Sequence, residues 1–417
     1  MSTSNAAAAQ KLLVPSDPDS AEKDEEADQS VIPRALGVAF EQNRRIASED
    51  NTEFITAEHK WCKPTSVPEY LIQYVDQGVI GSEILQIPLI RLGYLSDWLD
   101  TELPLGTIVQ GISPSGKSNW ARTAKIEATD EAGRETNFFI KVLQLEHGKN
   151  MVSSEFKTMS KLYSITPKLV AEPIAWGAYL EKPEAYLFIC RFCEMSGEIP
   201  DLEKFPSMLA DMHKRSQSPD GKFGMPYVTY SGRNPQYFPP SESWEECFSK
   251  GLALNFDMEE VTHGRDQELQ ELREGIMAKV IPRLLRPLQT DGRTLTPTLV
   301  HGDLWDGNAS VDLSTGSPRI FDGVSFYAHN EYDLAPWWAP RHKMTDRYIA
   351  EYIKHFPVSE PREDFESRGL LYRLRFDLNS SSLYPGTLRR RGLIKDTMRE
   401  LLQRFPRGDE GTGVGQT

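Results

Sequence analysis

Cysteine is scarce in this chain, with four residues, Cys62, Cys190, Cys193 and Cys247, among 417. So few exclude a disulfide framework. Cys190 and Cys193 stand in a CxxC pair, but no second pair and no matching histidines accompany them, so zinc or redox chemistry is not expected. The run Ala185-Tyr-Leu-Phe-Ile-Cys190 reads as a buried strand, where cysteine is a small apolar filler. Long apolar runs are missing too. No stretch approaches the roughly 18 to 20 apolar residues of a membrane span. The N-terminus has no basic start followed by an apolar run, so no signal peptide is expected and the default compartment is the cytoplasm. Positive charge is in deficit, 47 Lys and Arg against 61 Asp and Glu, for a net charge of -14. That balance lacks the footprint needed to neutralise phosphate backbones, and nucleic acid is not an expected partner. The one dense basic cluster, Arg389-Arg390-Arg391, reads as a solvated helix end.

What is present is enough apolar material, 39% of residues, for two lobes with real cores. Residues 1–30 carry the run Glu22 to Asp28 with no apolar period and read as a disordered acidic tail. Residues 31–100 form an extension, with Tyr70 to Tyr74 as a short helix and an apolar stretch from Ile84 to Leu99 that packs onto the body. Strand patterns follow over 107–145, ending in the strongly β segment Asn137-Phe-Phe-Ile-Lys-Val142. Helical spacing runs from Gly148 to Leu162, and a second strand pair covers 174–179 and 185–192. From Leu202 to His213 and again after 243 the pattern is mainly helical, interrupted by short strands over 296–327. The expected architecture is α+β: a small β-rich N-lobe over 101–195 with one embedded helix, a larger helical C-lobe over 196–405, and a loose tail over 406–417. The cleft between lobes is the expected ligand site.

One motif points elsewhere. Gly111-Ile-Ser-Pro-Ser-Gly-Lys-Ser118 matches the P-loop pattern GxxxxGK[ST], which would put Lys117 on phosphates and Ser118 on magnesium. A P-loop must open a helix, because helix N-terminal amides cradle the anion. The residues that follow, Asn119 to Thr129, show no helical apolar face and run into a turn and a strand. The segment therefore reads as a loop joining two antiparallel strands. Gly111 and Gly116 would let backbone approach a nucleotide's phosphates, and Ser113 and Ser115 could add hydroxyl donors.

The chemistry is concentrated in His301-Gly-Asp303-Leu-Trp-Asp-Gly-Asn308, followed by Arg319-Ile-Phe-Asp322. Phosphoryl transfer needs one carboxylate to orient a hydroxyl and take its proton. It also needs an amide oxygen and a second carboxylate for magnesium. An Asp-x4-Asn loop and then a strand ending in Asp is the kinase arrangement of those groups. Asp303 is the expected base, and Asn308 and Asp322 the expected Mg2+ ligands. Lys141, mid-strand in apolar surroundings, requires an anion to pair with. Glu155 on the following helix is the expected partner, with Glu146 as the alternative. His301, Trp305 and Asp333 are supporting residues, Asp333 by bracing the loop. His329 and Glu331 are placed towards the acceptor. Adenine is expected against the backbone near Arg191, Phe192, Cys193 and Glu194.

These residues resemble the fructosamine kinase (ketosamine-3-kinase) family, a relative of the aminoglycoside phosphotransferases in the protein-kinase-like superfamily. The matching pieces are His301 to Asn308 with its tryptophan after Asp-Leu, Ile320-Phe-Asp322, Tyr327 to Leu334, Gly111 to Gly116, Phe139 to Val142, Leu209 to His213, Phe223-Gly, Thr229-Tyr-Ser-Gly232, Pro235-Gln236 and Trp244 to Phe248. The resemblance covers roughly 100 to 400. It implies ATP-dependent phosphorylation of the 3-hydroxyl of ketosamines, on protein lysines or free amines, which releases the sugar and reverses glycation. It also places His213, Phe223 and Trp244 towards the acceptor. The sequence departs from the family where Asp306 replaces a small residue, where Gly323-Val324 replaces proline-alanine, and in the long N-terminal extension. These departures bear on the acceptor rather than the chemistry. A kinase for an aminoglycoside or a choline-like amine is the alternative, and an acidic surface suits any such cationic substrate. A non-catalytic kinase-like binding protein is disfavoured by the complete set Lys141, Asp303, Asn308 and Asp322.

Overall fold

The computed structural model describes residues 103–116, 118–179, 182–386 and 388–407. The expectations for residues 1–100, for 408–417, for Cys62 and for Lys117 lie outside them. Among the described residues no helix is long and apolar enough to cross a membrane.

Alternation of apolar and polar residues builds a five-stranded antiparallel sheet. Its strands are β1 (Ile108–Pro114), β2 (Arg122–Thr129), β3 (Phe138–Gln144), β4 (Pro173–Tyr179) and β5 (Lys182–Arg191), in the order β1-β2-β3-β5-β4. One face of β2 and β3 buries Ala124, Ile126, Ala128, Phe138, Ile140 and Val142 in a cluster with Leu187 and Ile189 of β5. The period of two turns Phe139, Lys141 and Leu143 to the other face. Helix α1 (Leu145–Ile165) covers that face with Val152, Met159 and Leu162, which join Leu143 and Phe188 in the main core. Lys141 thus faces a helix although its strand neighbours are apolar. The described residues of the P-loop match form no helix: Gly111 to Pro114 lie in β1, Ser115 and Gly116 follow it, and strand resumes at Arg122.

The remainder is mainly helical. Helices α2 (Lys204–Arg215), α3 (Trp244–His263), α4 (Gln267–Gly275), α5 (Ile281–Leu285), α6 (Asp346–His355), α7 (Phe365–Leu383) and α8 (Arg389–Arg404) surround three two-stranded ladders. These ladders pair β6 (Thr229–Ser231) with β7 (Asn234–Gln236), β8 (Thr298–Val300) with β11 (Phe326–Ala328), and β9 (Ala309–Asp312) with β10 (Ser317–Ile320). The segment after β5 ties the two parts together. Ser196 N–H donates to Val311 O (2.9 Å) and Leu313 N–H to Glu194 O (2.8 Å).

At the centre of the helical part Phe238 and Phe326 stack with centroids 4.0 Å apart, and Trp244, Phe248, Tyr332 and Tyr372 pack around them. This core corrects several sequence expectations. Trp244 is fully buried and donates its indole N–H to Tyr372 Oη (2.8 Å). His329 is equally buried, bridging Tyr372 Oη (2.9 Å) and Ser359 Oγ (2.9 Å). Glu331 accepts a two-pronged hydrogen bond from buried Arg368, at 2.8 and 3.0 Å. His213 and Phe223 are also interior. All five side chains are shut off from solvent. The polar ones are met by Tyr352, Asp333, Tyr372, Ser359 and Arg368, as burial demands.

Burial lowers the His329 imidazole from its ordinary 6.5 to about 4, with Glu331 opposing the shift. The folded chain therefore refuses a proton that the unfolded chain accepts, and stability drains as pH falls from about 6.5 towards 4. Melting temperatures measured across that window are expected to drop, and His329→Gln is expected to shallow the drop while lowering the plateau. An unchanged pH slope in the variant would remove His329 from the account.

Candidate active site

The site is assembled from β3, α1, the loop after β8 and the segment after β10. Lys141 Nζ donates to both Glu155 oxygens (2.8 and 2.9 Å) and to Asp322 Oδ1 (2.7 Å). Glu146, the alternative partner, instead meets Lys149 on the surface of α1. The Lys141 and Glu155 side chains are 12% and 16% exposed, whereas Asp322 is 51% exposed, so the triad has a buried end and an open end. Burial would lower the Lys141 ammonium, but Asp322 and Glu155 outweigh it and hold it well above its ordinary value. Burial pushes Glu155 up to about 7 against the pull of Lys141. Burial would also raise Asp322, but Lys141 overrides it and keeps the carboxyl low. The carboxyl held low is the one at the open end.

Asp322 has φ of 58°, in the left-handed region that a non-glycine residue rarely adopts. Its neighbours hold it there. Phe321 N–H donates to Asn308 O (3.1 Å), Phe321 O meets His301 Nε2 (2.9 Å), and Gly323 O accepts from Thr158 Oγ1 of α1 (2.9 Å).

The loop carrying Asp303 is pinned by Asp333, whose two oxygens accept from His301 N–H (2.6 Å) and Gly302 N–H (2.8 Å). His213 Nε2 lies 3.2 Å from the same carboxylate. Gly302 has φ of 85°, and a Cβ there would stand 2.3 Å from Val324 O, so only glycine fits this turn. With Nε2–H given to Phe321 O, His301 Nδ1 is left as acceptor for Asp303 N–H (3.3 Å), which fixes its tautomer. Asn308 donates Nδ2–H to Asp303 O (2.8 Å), leaving its Oδ1 as an oxygen ligand. Asp303 Oδ2 accepts from Ser231 Oγ (3.1 Å). Burial raises Asp303 above the usual carboxylate value, against the charges of Arg375 and His301 and the Ser231 hydrogen bond.

Trp305 is 39% exposed on this loop, with His342 against its ring. The unusual Asp306 accepts from His342 Nδ1 (2.8 Å). Burial would raise that carboxyl, and His342 more than offsets it.

The expected nucleotide residues are more mixed. Gly111 and Ser113 lie in β1, Ser115 and Gly116 in the turn to β2, and Gly116 is left-handed at φ 78°. The Ser113 hydroxyl, however, is committed to Glu127 Oε1 (3.0 Å). Arg191 is tied to Glu172 (3.0 Å) and Thr136 and lies over the Phe138 ring. Phe192 N–H already donates to Asn137 O (3.0 Å). Cys193 is half-buried, and Cys190, Cys193 and Cys247 are free thiols. Burial, with Glu155 adding to it, pushes the Cys190 thiol far up.

Sequence reasoning missed Ser231, Asn379, Gln236 and Arg375, which stand behind Asp303. Ser231 and Gln236 fell inside matched motifs but carried no chemical signature. Asn379 and Arg375 lie mid-helix in α7, where only the fold reveals their neighbours.

Similarity to known proteins identifies the family. A model described as fructosamine kinase matches residues 116–404. A chloroplastic protein-ribulosamine 3-kinase of Oryza sativa subsp. japonica is 28% identical over 312 residues, 74% of this chain and 84% of the relative. A ketosamine-3-kinase of Mus musculus is 40% identical over 160 residues, 38% of this chain and 47% of the relative. Among solved structures, a putative fructosamine-3-kinase from Thermobifida fusca YX-ER1 has a TM-score of 0.57 at 20% identity, covering 75% of this chain and 100% of that one. One from Haemophilus somnus 129PT has the same TM-score at 16% identity, covering 74% and 97%. These two likenesses bear on the fold, which is the two-lobed α+β kinase-like one. With its family model spanning well over half of the residues, the chain belongs to the fructosamine kinase family and is an ATP-dependent kinase.

Proposed function

We propose that this kinase phosphorylates the sugar 3-hydroxyl of ketosamines, including adducts on protein lysines, and so initiates their removal. The observation that carries this reading is the Lys141–Glu155–Asp322 triad standing beside an Asp303 held on a rigid loop. The named activities of the rice and mouse relatives support the acceptor class.

In this reading Lys141 binds the nucleotide's phosphates, positioned by Glu155. Asp303 accepts a hydrogen bond from the acceptor hydroxyl, whose oxygen attacks the γ-phosphorus. The bond from phosphorus to the leaving ADP oxygen breaks, and the hydroxyl proton passes to Asp303. Two hard oxygen ligands fit Mg2+: the open carboxylate of Asp322 and the Asn308 Oδ1 left over by its N–H bond to Asp303 O. When bound there, the cation would neutralise phosphate charge. The end of β1 with Gly111, and the turn after it with Ser115 and Gly116, lie over the phosphates, and adenine lies along Arg191 to Glu194. Free thiols at Cys190, Cys193 and Cys247 suit a reducing compartment, and a cytoplasmic location goes with them.

The direct test is magnesium-dependent ADP release from ATP with a ribulosamine or fructosamine of a blocked lysine. Asp303→Asn is expected to lower kcat by at least about a hundredfold with nucleotide affinity kept. Retained turnover in that variant would end the assignment of the base. Lys117→Ala separates the kinase reading from the P-loop pattern and is expected to leave kcat within about threefold, because the described residues on either side of it open no helix. For the triad, Glu155→Gln is expected to raise KM for ATP by about tenfold or more, as Lys141 loses its charge partner on α1. An unchanged KM would make that ion pair purely structural.

A further inference from the structure

Arg375 sits in the middle of α7, fully buried. Its Nε–H donates to Gln236 Oε1 (3.1 Å), and its guanidinium lies over the Phe376 ring. Nη1 and Nη2 are buried without a protein hydrogen-bond partner, as is the neighbouring Tyr332 hydroxyl. A guanidinium so placed is a burden on the fold that burial of an apolar residue would avoid. Its value lies in what it imposes on its neighbours.

We propose that Arg375 is a positioning residue that fixes the direction of a hydrogen-bond relay ending on Asp303. The guanidinium has donors and no acceptor, so the oxygen of Gln236 must face it. Asn255 Nδ2 donates to the same oxygen (3.1 Å) and reinforces that orientation. Gln236 is then forced to present its Nε2–H to Asn379 Oδ1 (3.0 Å), where Asn234 Nδ2 also donates (3.1 Å). Asn379 in turn presents Nδ2–H to Ser231 Oγ (2.9 Å). With its oxygen already accepting, Ser231 directs its own proton to Asp303 Oδ2 (3.1 Å). Amide nitrogen and oxygen are told apart by their partners alone. In this chain of partners the fixed ends are Arg375, which only donates, and the carboxylate of Asp303, which only accepts. Asn308 Nδ2 approaches the same Oδ2 (3.4 Å). Both side-chain donors therefore fall on one oxygen of Asp303, and Oδ1 is left to meet the acceptor hydroxyl. The relay passes between four elements, from α7 to β7, back to α7, then to β6 and the loop after β8.

The inference rests on Asp303 being the base, as proposed above. Its test combines kinetics with a structure that does not depend on turnover. Arg375→Met and Ser231→Ala are each expected to lower kcat on a ribulosamine about tenfold with KM for ATP within about twofold, since each breaks the orientation of the base rather than nucleotide binding. The double variant is expected to be no worse than the poorer single, because both lie on one relay. Arg375→Lys, which keeps a donor, is expected to recover most of the loss. Where Arg375→Met fails to fold, Gln236→Glu replaces it: the carboxylate still accepts from Arg375 but turns Asn379 around, so Ser231 donates to Asn379 instead of Asp303. Multiplying losses in the double variant, near a hundredfold, would overturn the relay. So would a crystal structure of Arg375→Met or Gln236→Glu in which Asp303 and its Ser231 hydrogen bond are unmoved. Failure of the wild type to use a ribulosamine would count against the acceptor class, and the crystallographic arm would then decide the relay alone.

Discussion

The ammonium of Lys141 ties three otherwise separate pieces of chain together. It leaves the sheet at β3, meets Glu155 on α1 and reaches Asp322 on the segment after β10, 181 residues away. A cation in that position must be compensated, since its strand neighbours are apolar and its side chain is nearly closed off from water. The two carboxylates compensate it unequally. Glu155 is enclosed with it, while Asp322 remains half open. The carboxylate that faces outwards is therefore that of Asp322, and the ammonium that holds it is the one that joins α1 to the sheet.

The second constraint is the way the loop carrying Asp303 is held from below. Asp333 accepts two backbone N–H groups of that loop, and a glycine at 302 allows the chain to pass within a distance of Val324 O that no Cβ would tolerate. His301 then links this loop to Phe321, one residue before the left-handed Asp322. Strain at a functional residue persists only where its surroundings over-determine it. Here they do: Asn308, His301 and Thr158 each hold one of the backbone groups flanking Asp322. The proposed base and the proposed metal ligand are thus parts of one braced unit rather than two loops that happen to meet.

Much of this was legible in residue order. Alternation in Phe138 to Val142 identified β3 and singled out Lys141 as an anomaly that needed an anion. Asp-x4-Asn followed by a strand ending in Asp pointed to Asp303, Asn308 and Asp322 because phosphoryl transfer needs those groups in that order. The P-loop pattern was rejected on its downstream residues, and the turn between β1 and β2 agrees. Where reading along the chain failed was in assigning direction. His329, Glu331 and Trp244 are polar or amphipathic residues near the motif, which suggested a ligand. In the fold they point into the helical core, where Tyr372, Ser359 and Arg368 meet them.

The sequence by itself determined the two-part architecture and the chemical identity of the site, because both depend on local pattern: strand period, helix period and a short motif whose spacing is dictated by reaction chemistry. Tertiary structure decided which polar residues are spent on stability and which remain for function. That division depends on burial and on partners brought from far along the chain, as when Asn379 reaches Ser231 across 148 residues. Hydrogen-bond direction is the extreme case. Nothing in the letters of Arg375, Gln236, Asn379 and Ser231 says which atom donates to which, and only their contact in the folded core, with a donor-only guanidinium at one end, gives the chain its sense.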